Sequence, residues 1–229
     1  MELSKDNPII DTGLELVVSY AFPSDAIVGI LYNSLLQDDE NVRLQKLPVF
    51  NIPDEIRRMD PNLKDKPTHQ LTCKDGFVQI GENTLCIGGV MPYTSWDIFE
   101  AFIKKIVSLL SSNSILNEVK FAKLRYLNFY KDNIFEGINL NISMPGIEQI
   151  CSGSTAFRTE IPCDGDVFGI LQITNGVHVK NLSLRLDDDG SLIDIQTVTK
   201  KVSLDNLSKV VQNLHEHVEA LFVKLTRKE

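Results

Sequence analysis

The sequence predicts an α+β protein in which antiparallel strands are covered by long amphipathic helices. Three observations predict it. Short alternating apolar runs lie between compact turn residues, as at Lys74-Asp75-Gly76 and Gly81-Glu82-Asn83. Two long segments, ending near residues 112 and 226, carry apolar residues at helical spacing instead. Each of these follows a group of strands, so the chain reads as one unit made of two packed halves, 1–114 and 115–229.

Residues 13–22 read as a strand, and Pro23 stops it. Ser24 is read as the cap of a helix to about Gln37, because Ile27, Leu31 and Leu35 recur at helical spacing. Asp38-Asp39-Glu40-Asn41 is the exit loop, and residues 42–50 read as a second strand. Segment 51–67 is polar and carries Pro53, Pro61 and Pro67, so it is expected to be an irregular, mobile excursion with one helical turn at 54–58. Strands at 68–74, 77–81 and 84–90 form a meander closed by Pro92. Ser95 then caps a helix whose apolar face is Trp96, Phe99, Ile103, Ile106 and Leu110, widened by Phe102 and Leu109. Residues 118–130 carry large apolar groups on both faces, as a central strand does.

A further strand is expected at 137–144, broken by Pro145-Gly146, with a loop over 146–154. The last third is read as strands at 156–162, 166–175, 178–187 and 192–199, with hairpin turns at Asn175-Gly176 and Asp188-Asp189-Gly190. Ser203 is read as the cap of a helix over 204–226, whose face includes Leu207, Val211, Leu214, Val218 and Phe222. The similar helix starts Thr94-Ser95-Trp96-Asp97 and Val202-Ser203-Leu204-Asp205 suggest a two-fold pseudo-repeat.

With 229 residues, 43% of them apolar, the chain can bury a core without staples. Its net charge of -8, from 31 acids against 23 bases, argues against nucleic acid, whose binding needs cations to neutralise phosphates. An acidic surface suits a basic protein partner instead. Cys73, Cys86, Cys151 and Cys163 form no C-x-x-C pair and have no His at ligand spacing, so they read as reduced core thiols. No stretch reaches membrane-helix length, and the charged start Met1-Glu2-Leu3-Ser4-Lys5-Asp6 lacks a signal-peptide pattern; the expected location is the cytoplasm.

Patterns for chemistry are missing. There is no G-x-G-x-x-G, P-loop or G-x-S-x-G, and Cys151-Ser152-Gly153-Ser154 has the wrong order for a nucleophile elbow. Gly88-Gly89 reads as a bend. His215 and His217 are two apart on a helix and so point about 200° apart, which rules out a shared ion. Asp187-Asp188-Asp189-Gly190 has consecutive acids rather than the alternating ones of a calcium loop. No catalytic residue, metal ligand or cofactor is therefore assigned. The cluster that stands out is Arg125, Tyr126 and Asn128, where strand alternation puts Arg125 opposite the other two. An Arg in an apolar strand needs a carboxylate or carbonyls, either inside a structural network or as the polar floor of a groove.

Asp75-Gly76-Phe77-Val78-Gln79-Ile80-Gly81, Pro92-Tyr93-Thr94-Ser95-Trp96, Arg125-Tyr126-Leu127-Asn128 and the His215 to Phe222 spacing occur in this order along nearly the whole chain. Together they resemble a sporadically distributed bacterial family of uncharacterised proteins. Phe129 stands where that family often has a basic residue, so a basic contact there does not carry over. The resemblance implies an accessory role, as in mobile-element, toxin–antitoxin or phage-defence cassettes, and brings no established enzymatic activity with it.

The expected function is thus a non-enzymatic protein-interaction or assembly subunit that binds a protein partner or self-associates. The alternative is a ligand sensor or enzyme with a pocket between sheet and helices, built from Arg125, Tyr126, Asn128, His215, Tyr93 and Trp96. A third reading, nucleic-acid binding on a sheet face, needs Lys120, Lys123, Arg125 and Lys131 to gather on one surface.

Overall fold

Alternation of apolar and polar residues gives most of nine segments one sheltered face, and these segments join into a single antiparallel sheet whose end strand Arg43–Lys46 is exposed throughout. The computed structural model describes residues 7–143, 153–200 and 202–226. In chain order the strands are β1 (Ile9–Tyr20), β2 (Arg43–Lys46), β3 (His69–Cys73), β4 (Gly76–Ile80), β5 (Thr84–Gly89), β6 (Leu116–Tyr130), β7 (Thr155–Pro162), β8 (Val167–Asn181) and β9 (Leu186–Thr199). Their spatial order is β2-β3-β4-β5-β1-β6-β9-β8-β7. The helices are α1 (Ser24–Leu36), α2 (Asp54–Met59), α3 (Trp96–Ser112) and α4 (Leu207–Thr226).

One row of side chains crosses all nine strands. It runs Leu44, Leu71, Val78, Ile87, Leu14, Leu124, Thr197, Gly169, Ile161. Most of this row is fully buried, because α1 packs on β3, α3 on β5, and α4 on β6, β8 and β9. α1 touches α3 and α3 touches α4, so the three helices lie side by side across this face. Of the residues read for the apolar face of α3, Phe99, Phe102, Ile103, Ile106 and Leu110 are buried, joined by Val107, while Trp96 and Leu109 are only half-buried. Ser95 caps it, its hydroxyl oxygen accepting from the Ile98 amide at 3.4 Å. Among the described residues, no helix is long and apolar enough to cross a membrane.

Several expectations need correction. The strand expected at 137–144 does not form in its described part: Ile134–Glu136 is a 3-10 turn, and the amide of Asn139 donates to the Leu225 carbonyl at 2.6 Å. That segment serves the end of α4, where helical carbonyls lack partners, rather than a sheet. Residue 144 and most of the loop expected at 146–154 lie outside the described residues.

Asn175-Gly176 and Asp188-Asp189-Gly190 are not turns. β8 and β9 form one long hairpin that turns over 182–185, with Arg185 at φ 52°. Gly176, at φ 71°, sits at a bulge between Asn175 and Val177, so its left-handed conformation serves a kink within the strand. The consecutive acids lie within β9, each facing a basic side chain. Asp187 meets His178 and Lys180, Asp188 meets Lys131, and Asp189 meets His178.

Pro23, not Ser24, precedes α1, and no side chain caps it. Ser203 makes no capping hydrogen bond either; it precedes a 3-10 turn, Leu204–Asn206, that leads into α4. Cys73, Cys86 and Cys163 are free and half-buried rather than sealed in the core, and Cys151 lies outside the described residues. Burial pushes the Cys86 thiol up to about 12.

Candidate ligand-binding site

The strand cluster divides between the two faces of the sheet, as period-two alternation requires. Arg125 points to the face without helices. Its Nε donates to both Asp194 oxygens at 3.0 and 2.9 Å and its guanidinium NH2 to Oδ2 at 2.7 Å, while Asp11 lies 3.4 Å from the other terminal nitrogen. Asp194 is only 13% exposed and Arg125 35%, so this is a half-sheltered, fork-like ion pair joining β1, β6 and β9. Beside it Lys123 pairs with Glu15 at 2.5 Å. Lys120 lies against Glu118 and Lys131 against Asp188. All four cations named for a nucleic-acid surface therefore face carboxylates.

Tyr126 and Asn128 point the other way, under the helices, and there they meet the remaining candidates. Tyr93, Trp96, Tyr126, Asn128 and His215 line one cavity of about 350 Å³. Ile195 of β9, the strand start at Pro8 and Ile9, and Val218, Glu219 and Phe222 of α4 complete most of its wall. Arg125 is not part of it.

Local sequence explains each placement. The Ser95 cap fixes where α3 begins, which sets Trp96 as its first residue. The Trp96 indole stacks on the His215 imidazole, with centroids 3.8 Å apart and planes 9° apart, and its Nε1 donates to Gln212 Oε1 at 3.1 Å. On α4, Gln212, His215, Glu219 and Phe222 follow at i, i+3, i+7 and i+10, a single stripe facing the start of α3. Tyr93 stands at 86° to Tyr126, ring centroids 5.7 Å apart. Their hydroxyls are 3.3 Å apart, and the Tyr126 hydroxyl is 3.5 Å from His215 Nδ1. Asn128 is buried and its Nδ2 donates to the Ile193 carbonyl at 3.3 Å. The side-chain amide of Asn7 donates to the Tyr93 carbonyl at 2.8 Å, tying the segment before β1 to the rim.

The electrostatics follow from burial. Desolvation holds His215 below the ordinary histidine value, although Glu219, Glu100, Glu216 and Asp97 oppose it. Burial lifts Tyr126 far above the ordinary phenol value, and Tyr93 is raised for the same reason. Near neutral pH the wall thus presents neutral rings with hydroxyl and imidazole groups that can donate or accept. Such a wall can sandwich a flat or rounded apolar body and read one polar edge. Among the described residues no group of three or more His, Cys, Asp or Glu could hold a metal ion.

Sequence reasoning missed several lining residues, among them Ile195, Val218 and the charged Glu219. The signal for Glu219 was available: it lies four residues after His215 on a helix whose other face is apolar. No family model and no curated protein matches the chain.

Proposed function

We propose that this protein is a small-molecule-binding protein, whose site is the aromatic cavity between β6, β9 and the helices α3 and α4. The observation that carries the reading is the convergence of Tyr93, Trp96, Tyr126, Asn128 and His215 on one cavity. The site has the mark of ligand pockets, a mainly apolar, aromatic wall with a few polar groups at one end. The single tryptophan of the chain stands in that wall, so its fluorescence reports on the site directly. Ligand-observed NMR on the full chain with a panel of small aryl compounds, followed by Trp96 fluorescence titration, tests the idea. Binders are expected to shift Trp96 emission and to lose affinity when Val218→Phe narrows the cavity. Binders that leave Trp96 unaffected, or a panel with none, refute it.

A second reading is favoured by a different observation, and it keeps the interaction-subunit role with its accessory, defence-related setting. β2 is an end strand of the sheet, unpaired on its outer edge among the described residues, with Leu44 exposed; Ile56 and Met59 of α2 are exposed too, Met59 by 84%. Open edges and exposed apolar side chains favour association with another chain. Light scattering across a concentration series, with Ile56→Glu and Met59→Asp compared, tests this; a monomer at all concentrations without captured partners counts against it.

The pseudo-repeat belongs to the same reading. What supports it is the strand order: β1 with the meander β3-β4-β5 and helix α3, then β6 with the meander β9-β8-β7 and helix α4, the two units meeting where β1 pairs with β6. The cover over the second unit is α4, and over the first it is α3 together with α1.

A further inference from the structure

We infer that the cavity selects a small organic cation, an ammonium group carried on a compact apolar body. This rests on the ligand-binding reading above and names the chemistry of its ligand. Two features of the wall lead to it.

The first is the kind of surface. Tyr93, Trp96, Tyr126, His215 and Phe222 contribute five rings, and Tyr93 and Tyr126 meet at nearly a right angle, as adjacent walls of a box. Ring faces carry a negative quadrupole, so a box of them attracts a cation that has few hydrogen-bond donors to lose on leaving water. An anion would meet the same faces as repulsion.

The second is the distribution of charge. Among the described residues no Lys or Arg lines the cavity, and its one formally charged lining group is Glu219. Asp97 at the start of α3 and Glu216 next to His215 add negative potential from just outside, while Glu100 is balanced by Lys104 at 2.8 Å. The imidazole of His215 is buried against Trp96 and supplies no opposing charge in its neutral form. A carboxylate at the rim of an aromatic box is the arrangement that recognises alkylated amines, with the rings desolvating the head and the acid balancing its charge. The tyrosine hydroxyls and Asn128 then remain for a polar atom elsewhere on the ligand.

The test uses three probes of similar shape and different charge with the full chain: phenyltrimethylammonium, its uncharged carbon isostere tert-butylbenzene, and benzoate. Affinities are read from Trp96 fluorescence and from NMR line broadening of the probe. The ammonium is expected to bind at least about tenfold more tightly than the isostere. Glu219→Gln is expected to weaken the ammonium about threefold or more and leave the isostere unchanged, and added salt is expected to reduce the difference. Glu219 is exposed, so this variant keeps the fold. If the isostere binds as tightly as the ammonium, the cation inference falls while the pocket stands. If benzoate binds most tightly, the sign of the selectivity is wrong and the inference falls. If no probe reaches Trp96, the inference and the pocket reading both fall.

Discussion

Arg125 was the most conspicuous polar residue of the strand cluster, and its geometry predicts a structural cost without a ligand-binding one. Arg125→Met removes three hydrogen bonds to Asp194 and leaves a carboxylate that is 13% exposed, with the Gln196 amide at 3.1 Å as its remaining side-chain hydrogen bond among the described residues. A fully buried pair broken on one side costs about 3–5 kcal/mol and an exposed pair about 0–1. With Arg125 35% exposed, the cost should fall between these, at about 2 kcal/mol. For a chain of this length that lowers Tm by about 4–8 °C. Asp194→Asn should cost less, about 1 kcal/mol, because Arg125 keeps Asp11 and access to water. Since both variants break the same contact, the double variant should be less destabilised than the sum by about 1 kcal/mol. Urea and thermal unfolding followed by circular dichroism measure all three. Additive effects or a Tm unchanged in Arg125→Met would refute the ion-pair reading, and loss of aryl binding at Trp96 without loss of stability would refute the separation of Arg125 from the cavity.

Two further outcomes are expected. His215 is held below its ordinary value of 6.5 by burial, so the unfolded chain takes up that proton first; stability should fall as pH drops below 6.5 and reach its full loss below the folded-state value. An NMR titration that places the His215 midpoint at or above 6.5, or an unfolding curve with the same pH slope in His215→Asn, contradicts this, and the same protonation should weaken a cationic ligand. In Gly88→Ala the new methyl runs into the Phe77 ring laid across from the neighbouring strand, which should cost about 1–3 kcal/mol and be relieved by Phe77→Ala in the same chain; equal Tm for Gly88→Ala and wild type sinks it.

Much of the fold was legible because local and global signals agreed. The apolar stripes of α3 and α4, the Ser95 cap and the turns of the first meander each state the same answer at the level of single residues. The failures share a cause, which is that a residue with two uses looks the same in sequence. Gly176 needs a positive φ at a bulge just as it would in a turn. Three adjacent aspartates look like a solvated turn unless His178, Lys180 and Lys131 are known to stand across from them. Asn139 reads as strand until the end of α4 is placed beside it. The site was half legible. Alternation alone already put Arg125 on the face away from Tyr126 and Asn128, whereas the meeting of Trp96 with His215 depends on how α3 and α4 pack, and no spacing in the chain encodes it.

The position of β1 has a consequence for how the protein is made. This strand is central, flanked by β5 and β6, with Val17 facing Thr84 on one side and Phe121 on the other. It leaves the ribosome ahead of every partner. Roughly a hundred residues separate its end from β6, so at about 5–20 residues per second its second edge stays open for about 5–20 s. During that interval an apolar strand, Leu14 to Val18 on the buried side, lies unpaired along one edge. Nascent chains stalled before Leu116 should therefore bind holdase chaperones and be cut readily within β1, whereas chains extended past Tyr130 should resist; equal cleavage in both would show that β1 is protected by something other than β6.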